Sequence, residues 1–291
     1  MPSAIRLLPV AALLFSATLW GLFWYPFRLL ENLGIGGLPA IFLVYTLPLL
    51  LIGWRYANAL LQARRYWLWL LVLGLASGWS NVGYVLGALE GEIMRVLLLF
   101  YLSPLWTVLL ARLLLAERLN AIGWWVILLS LGGAMVMLWQ PQAGLPLPAN
   151  RAEWLGLSAG MTFALSVVAG RYLGASVSDG VKTVAVWAGV AWLTAAGWLL
   201  YPTPALPALP GQAIGLLLGL ALAIAAVTYA VQYGVARLPA SQASVLFLFE
   251  LVVAALAAYW LTAERMTLQE WAGAVMIVAA SLFSGRMQHE T

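Results

Sequence analysis

A carboxylate in the middle of an apolar run is the side chain in this sequence most able to do chemistry. Glu250 sits ten residues into the stretch from Ala240 to Leu261, flanked by Phe247, Leu248, Phe249 and Leu251. An ionisable group at such a depth costs a few kcal/mol in hydrocarbon and marks a functional position by default. Facing a wet cavity, it binds a proton or a substrate ammonium; facing a neighbouring helix, it is a structural group satisfied there. Asn81 is a second buried polar candidate, because an amide in hydrocarbon must find hydrogen-bond partners. It shares one helical face with Ser77, Tyr84 and Ala88. Leu97, Tyr101, Pro104 and Val108 form a comparable face, as do Ser16, Trp20, Phe23, Trp24 and Phe27. Phe163 and Ser166, Gln232 between Tyr229 and Tyr233, and Ser244 with Phe247 repeat the pattern further along. Such faces can wall an aromatic cavity that holds an amphipathic solute of amino-acid size, whereas a phosphorylated one would need several inward Arg or Lys residues.

Covalent chemistry has few carriers. There is no cysteine, and His289 is the only histidine, so thiolate, Cys-ligand and His-ligand metal sites are excluded, as are the usual acid/base dyads. No Walker loop is present, so the chain carries no ATP drive of its own. Neither cofactor nor metal is expected, and no enzyme activity.

The elements that position these residues follow from composition. Of 291 residues, 64% are apolar and 8% charged, with a mean hydropathy of +0.97. Soluble chains carry about 25% charged residues, so a soluble enzyme or a nucleic-acid binder is excluded and an all-α integral membrane protein is expected. A spanning helix needs about 20 apolar residues. Ten such stretches occur: Leu8 to Leu29, Leu38 to Leu60, Trp67 to Leu89, Ile93 to Leu115, Ala121 to Trp139, Glu153 to Leu173, Lys182 to Tyr201, Ala213 to Ala236, Ala240 to Leu261 and Gln269 to Ser284. The first has the look of a secretory leader, with Arg6 ahead and Ser16-Ala17-Thr18 as a cleavage site. It continues past them through Trp20, Trp24 and Phe27, long enough to stay as a helix. With the N-terminus inside, ten Lys and Arg fall on the cytoplasmic side and four on the other, which favours cytoplasmic termini at the inner membrane. Small-residue pairs at spacing four, Gly74/Gly78, Gly83/Gly87, Gly156/Gly160 and Gly215/Gly219, suit close helix contact.

An internal repeat organises these stretches. An offset of 147 lays Leu114-Leu115-Ala116-Glu117-Arg118-Leu119 on Leu261-Thr262-Ala263-Glu264-Arg265-Met266, and pairs Gly87 with Gly234 and Phe100 with Phe247. The same offset sets Ser103 against Glu250 and Pro104 against Leu251, at one depth of the two halves. An offset of 143 pairs Trp20-Gly21 with Phe163-Ala164 and Arg28 with Arg171. Five helices in each half mean that the second half enters from the opposite side. The expected architecture is therefore two inverted five-helix repeats, residues 1–139 and 153–291, joined by a loop at 140–152. Secondary transporters are built this way, with substrate near the midplane between the halves.

Five plus five helices, Trp20-Gly21, Tyr101-Leu102-Ser103-Pro104 and the paired Leu-x-Ala-Glu-Arg helix ends resemble the drug/metabolite transporter superfamily, and within it the ten-helix EamA-type carriers. The aromatic-rich helices one, three and four are similar to those of bacterial aromatic amino-acid exporters. That resemblance implies a carrier that exports neutral, mainly aromatic or apolar amino acids by alternating access; other metabolites or organic cations are the superfamily's alternatives, and a membrane scaffold or enzyme on the same frame is the reading from another class. Its partners would be an amino-acid-like solute and the lipid bilayer, without nucleic acid, in a monomer or weak homodimer. The substrate-binding candidates are Trp20, Trp24, Asn81, Tyr84, Tyr101, Ser103, Phe163, Ser166, Gln232, Ser244 and Phe247, with Glu250 as the coupling group and Pro104 as the kink. The second half departs from the family pattern at Glu250 and Leu251, where a proline is common, so helix nine has no proline to bend it.

Overall fold

The computed structural model describes residues 3–91, 93–139, 147–200, 211–261 and 266–287, and every regular element among them is helical. In order these are α1 (Ser3–Asn32), α2 (Gly37–Ile52), α3 (Ala57–Gln62), α4 (Trp67–Glu90), α5 (Ile93–Phe100), α6 (Ser103–Leu115), α7 (Ala121–Leu138), α8 (Arg151–Leu173), α9 (Asp179–Leu200), α10 (Gly211–Val235), α11 (Ala240–Phe247), α12 (Phe249–Leu261) and α13 (Leu268–Phe283). Nine segments among the described residues are long and apolar enough to cross a membrane. One of them, Gly37–Glu90, is 54 residues long. It is not a single rod, because the apolar run of α2 gives out at Arg55 and two 3-10 turns, Gly53–Tyr56 and Ala63–Tyr66, set the short α3 between α2 and α4. The second expected span therefore ends at Ile52 rather than Leu60.

Several helix starts are written into the sequence. Asn120 accepts from the Gly123 amide at 2.7 Å and opens α7; Asn150 accepts from the Glu153 amide at 3.0 Å and opens α8. Thr267 and Glu270 form a reciprocal capping box at α13.

Two stretches that read as continuous are broken at matching places. Pro104 has no amide proton to offer the Phe100 carbonyl, and the chain passes through a tightened turn, Leu102 donating to Leu99 and Leu105 to Leu102, before α6 begins. Between α11 and α12 the same tightening occurs without a proline: Leu248 donates to Val245 at 3.2 Å and Leu251 to Leu248 at 3.1 Å. Helix nine is thus interrupted where the sequence offered no breaker, so packing rather than a missing donor sets the bend. Phe100 and Phe247, the paired residues of the repeat offset, each end the first half-helix.

Apolar burial does little to join helices in lipid, where close van der Waals contact decides. Two glycines carry that contact at the breaks. A Cβ on Gly21 of α1 would lie 2.6 Å from the Glu250 carbonyl oxygen, and one on Gly160 of α8 would collide with the Phe100 carbonyl. Gly74 and Gly78 of α4 likewise meet Ala185 and Gly189 of α9, while Gly215 and Gly219 of α10 have nothing within 4 Å and hold no helix contact. Gly160→Val is accordingly expected to destabilise the protein by about 1–3 kcal/mol through overpacking, whereas Gly215→Val leaves the thermal unfolding midpoint unchanged. Differential scanning fluorimetry in detergent separates the two.

Helix packing repeats itself across the chain. α4 packs on α8 and α9, and α10 packs on α1 and α2; α8 packs on α5 and α6, and α1 on α11 and α12; α2 meets α9, and α7 meets α13.

Candidate functional site

The two half-helix breaks face one another across an aromatic cluster. Tyr84 of α4 meets Phe100 edge-on at 5.6 Å, Phe100 meets Phe163 of α8 at 5.6 Å, and Phe163 meets Phe247 of α11 at 5.3 Å. Tyr101, next to Phe100 at 5.3 Å, lies beside Glu250, its hydroxyl close to the carboxyl. Tyr101 is 6% exposed and Glu250 partly buried. Among the described residues Glu250 makes no ion pair. It sits in the first turn of α12, where the positive end of the helix dipole favours a carboxylate. Aromatic faces and one unpaired carboxylate are the elements that hold an apolar or aromatic amine, through ring contact, cation–π attraction and a charge-assisted hydrogen bond.

Of the residues singled out from sequence, Tyr84, Tyr101, Phe163, Phe247 and Glu250 come together here. Ser103 is buried at the start of α6 beside Pro104, its carbonyl accepting from Thr107 at 2.9 Å. Ser166 is one turn from Phe163 and donates to its carbonyl at 2.7 Å. Other candidates lie elsewhere. Asn81 is engaged by its own fold, donating to the Ser77 carbonyl at 2.9 Å and lying near the Tyr45 hydroxyl of α2. Gln232 faces Gly170, its amide oxygen without a partner among the described residues, and Ser244 donates to the Ser241 carbonyl at 2.8 Å. Trp20 pairs with Phe23 at 5.3 Å and packs into the core shared by α2, α9 and α10, while Trp24 pairs with Tyr25. Gly21 rather than its neighbour Trp20 brings α1 to the Glu250 backbone, because an adjacent position points about 100° away around a helix.

Phe100 links the Tyr84 and Phe163 rings, yet it is absent from the candidates that sequence alone singles out. Its signal was present in the pairing with Phe247.

Ion pairs fasten α8 to the broken helix at both ends. At one end Arg95 of α5 pairs with Glu153 at 3.2 Å, the side chains 7% and 8% exposed; Glu153 also accepts from the Ala149 amide at 2.9 Å and from Asn150. At the other end Glu117 pairs with Arg171 at 3.1 Å and accepts from the Ala240 amide at 3.0 Å, tying α6, α8 and α11 together. The carboxylate of the first Glu-Arg helix end thus bonds across helices and not only along its own surface. Its twin, Glu264-Arg265, lies outside the described residues. Nearby, Asp179 holds both fully buried Lys182, at 2.8 Å, and Arg237, at 2.9 Å.

Comparison with known proteins accords with this arrangement. The EamA-like transporter family model matches residues 7–139 and again 150–286. The chain belongs to the EamA-like transporter family, and its apolar helices make it a multi-pass membrane protein. An uncharacterized transporter of Pseudomonas aeruginosa is 28% identical over 158 residues, a match that covers 50% of this chain and spans 48% of that relative's length. A solved crystal structure, described only as that of a protein, has the same fold: TM-score 0.72 at 19% identity, covering 98% of each chain.

Proposed function

We propose that this protein is a secondary transporter that exports neutral, mainly aromatic or apolar amino acids across the cytoplasmic membrane by alternating access. The observation that carries the reading is the ring cluster at the half-helix breaks, to which Tyr84, Phe100 and Tyr101 come from one half and Phe163, Phe247 and Glu250 from the other. A solute held there touches both halves, so their relative rocking opens it to one side or the other. In this reading Gly37–Glu90 crosses twice, which makes ten spans in two inverted repeats. Support comes from the paired packing of helices and from the family model's two successive matches. Cytoplasmic termini follow from the distribution of Lys and Arg.

Purified protein in liposomes is expected to show saturable uptake of phenylalanine or tyrosine. Tyr101→Ala removes the ring beside Phe100 and the hydroxyl near Glu250, and Phe163→Ala the ring between Phe100 and Phe247. Each is expected to weaken uptake by roughly 10-fold, the scale of a buried aromatic contact. Asn81→Ala is expected to act less, because its amide already donates to the Ser77 carbonyl. Unchanged kinetics in both Tyr101→Ala and Phe163→Ala would move the site elsewhere.

A second reading has its own observation. Glu250 has no ion pair among the described residues, so a monocationic amine neutralises the site by itself. Uptake of phenethylamine in preference to phenylalanine, which adds only a carboxylate, favours organic cations as the substrate class.

A further inference from the structure

Residues 53–66, between α2 and α4, form a second charged feature that the solute site does not use. The segment crosses the start of α9: Tyr56 lies directly against Gly180, and Gly53 is close to Val184. Tyr56, Ala59, Ala63 and Tyr66, at spacings of three, four and three, turn toward the core. Arg55, Asn58, Gln62 and Arg65 repeat that spacing on the outward side, with Arg64 beside them. No acidic residue occurs between Glu31 and Glu90 in the sequence, and among the described residues these three arginines make no ion pair. Apolar side chains stand out on the same stretch: Trp54 is 70% exposed, Leu61 71% and Trp67 62%.

We propose that this linker is a binding surface for anionic phospholipid headgroups of the surrounding bilayer. Its position at the break in the apolar segment Gly37–Glu90, with Trp54 and Trp67 exposed at its two ends, sets it at headgroup depth, where tryptophan anchors at the acyl boundary. Arg55, Arg64 and Arg65 supply positive charge with no ion pair among the described residues, and guanidinium groups bind phosphate oxygens in bidentate fashion. Charge complementarity selects the acidic lipid over a zwitterionic one. Three basic residues near a surface give a preference on the order of 100-fold. Because Tyr56 seats the linker on α9, a bound headgroup also steadies that end of the helix.

Lipid retention by native mass spectrometry tests the proposal, with phosphatidylglycerol and phosphatidylcholine titrated separately into the detergent-solubilised protein. The protein is expected to retain phosphatidylglycerol preferentially, and R55Q/R64Q/R65Q to lose that preference while Arg28→Gln, an exposed arginine elsewhere, keeps it. As a check independent of any variant, raising the salt concentration is expected to weaken retention by the unmodified protein. Equal retention of the two lipids, or undiminished phosphatidylglycerol on the triple variant, would overturn the assignment. Displacement of phosphatidylglycerol by inorganic phosphate in place of salt-matched chloride would also overturn it, since the surface would then be a site for a soluble anion.

Discussion

Glu250→Gln is expected to reduce solute uptake by roughly 10- to 100-fold and to flatten its dependence on pH. The magnitude follows from loss of a charge-assisted hydrogen bond in a water-poor site, about 1.5–3 kcal/mol. Glutamine keeps the size and polarity of the side chain, so the ring cluster beside it stays assembled. Only the charge is lost. The sign of the pH effect is fixed by the chemistry: protonation neutralises the carboxyl, so binding of a substrate ammonium weakens as pH falls through its titration and strengthens as pH rises. In the proposed reading a proton and the ammonium compete for one group, and such competition would couple transport to a proton gradient. Initial rates in proteoliposomes over a range of pH give the answer. If Glu250→Gln transports at the parental rate with the parental pH profile, the carboxyl has no part in binding or coupling.

The second large effect concerns stability. Arg95→Leu leaves Glu153 buried with its charge unpaired, and breaking a buried pair in this way costs about 3–5 kcal/mol. Glu153 holds Arg95, the Ala149 amide and Asn150 at once, so the start of α8 and residues 147–150 are expected to loosen together. Adding Glu153→Gln removes the unpaired charge and keeps an acceptor for Ala149. The double variant Arg95→Leu/Glu153→Gln is therefore expected to recover most of the loss. Thermal unfolding followed by tryptophan fluorescence compares the three proteins. A single variant as stable as the parent would show that the pair does not hold α8 to α5.

Much of the frame was legible because bilayer thickness imposes a length on each apolar run. Most of the expected helix ends fall within two or three residues of those observed, as with Trp67 to Leu89 against α4 and Ala121 to Trp139 against α7. The second span failed at its far end because Leu60 and Leu61 continue the apolar count, although Arg55 had already brought the chain to the surface. The bend between α11 and α12 was not legible at all, since a packing-driven bend leaves no proline to read.

For the site, periodicity picked out faces but not their neighbours. Tyr84, Tyr101, Phe163 and Phe247 were found because aromatic residues at helical spacing stand out, and Glu250 because a carboxylate in an apolar run is conspicuous. Trp20 and Trp24 stood out equally and packed elsewhere, since one-dimensional spacing does not say which helix a face will meet. Arg95, near the start of the stretch from Ile93 to Leu115, reads as one more helix-end charge and yet is buried, because its partner Glu153 lies 58 residues away in the sequence. Phe100 was marked only by the repeat, which carries three-dimensional information that periodicity lacks.

The central claim is that rings from both halves and Glu250 form the solute site of a transporter. A panel of labelled aromatic and apolar amino acids, with their amines, offered to proteoliposomes with and without a proton gradient tests it most directly. Saturable uptake of aromatic solutes, driven by the gradient and lost in Glu250→Gln, is the predicted result. Absence of saturable uptake across the whole panel by folded protein, or uptake indifferent to Glu250→Gln, would contradict it.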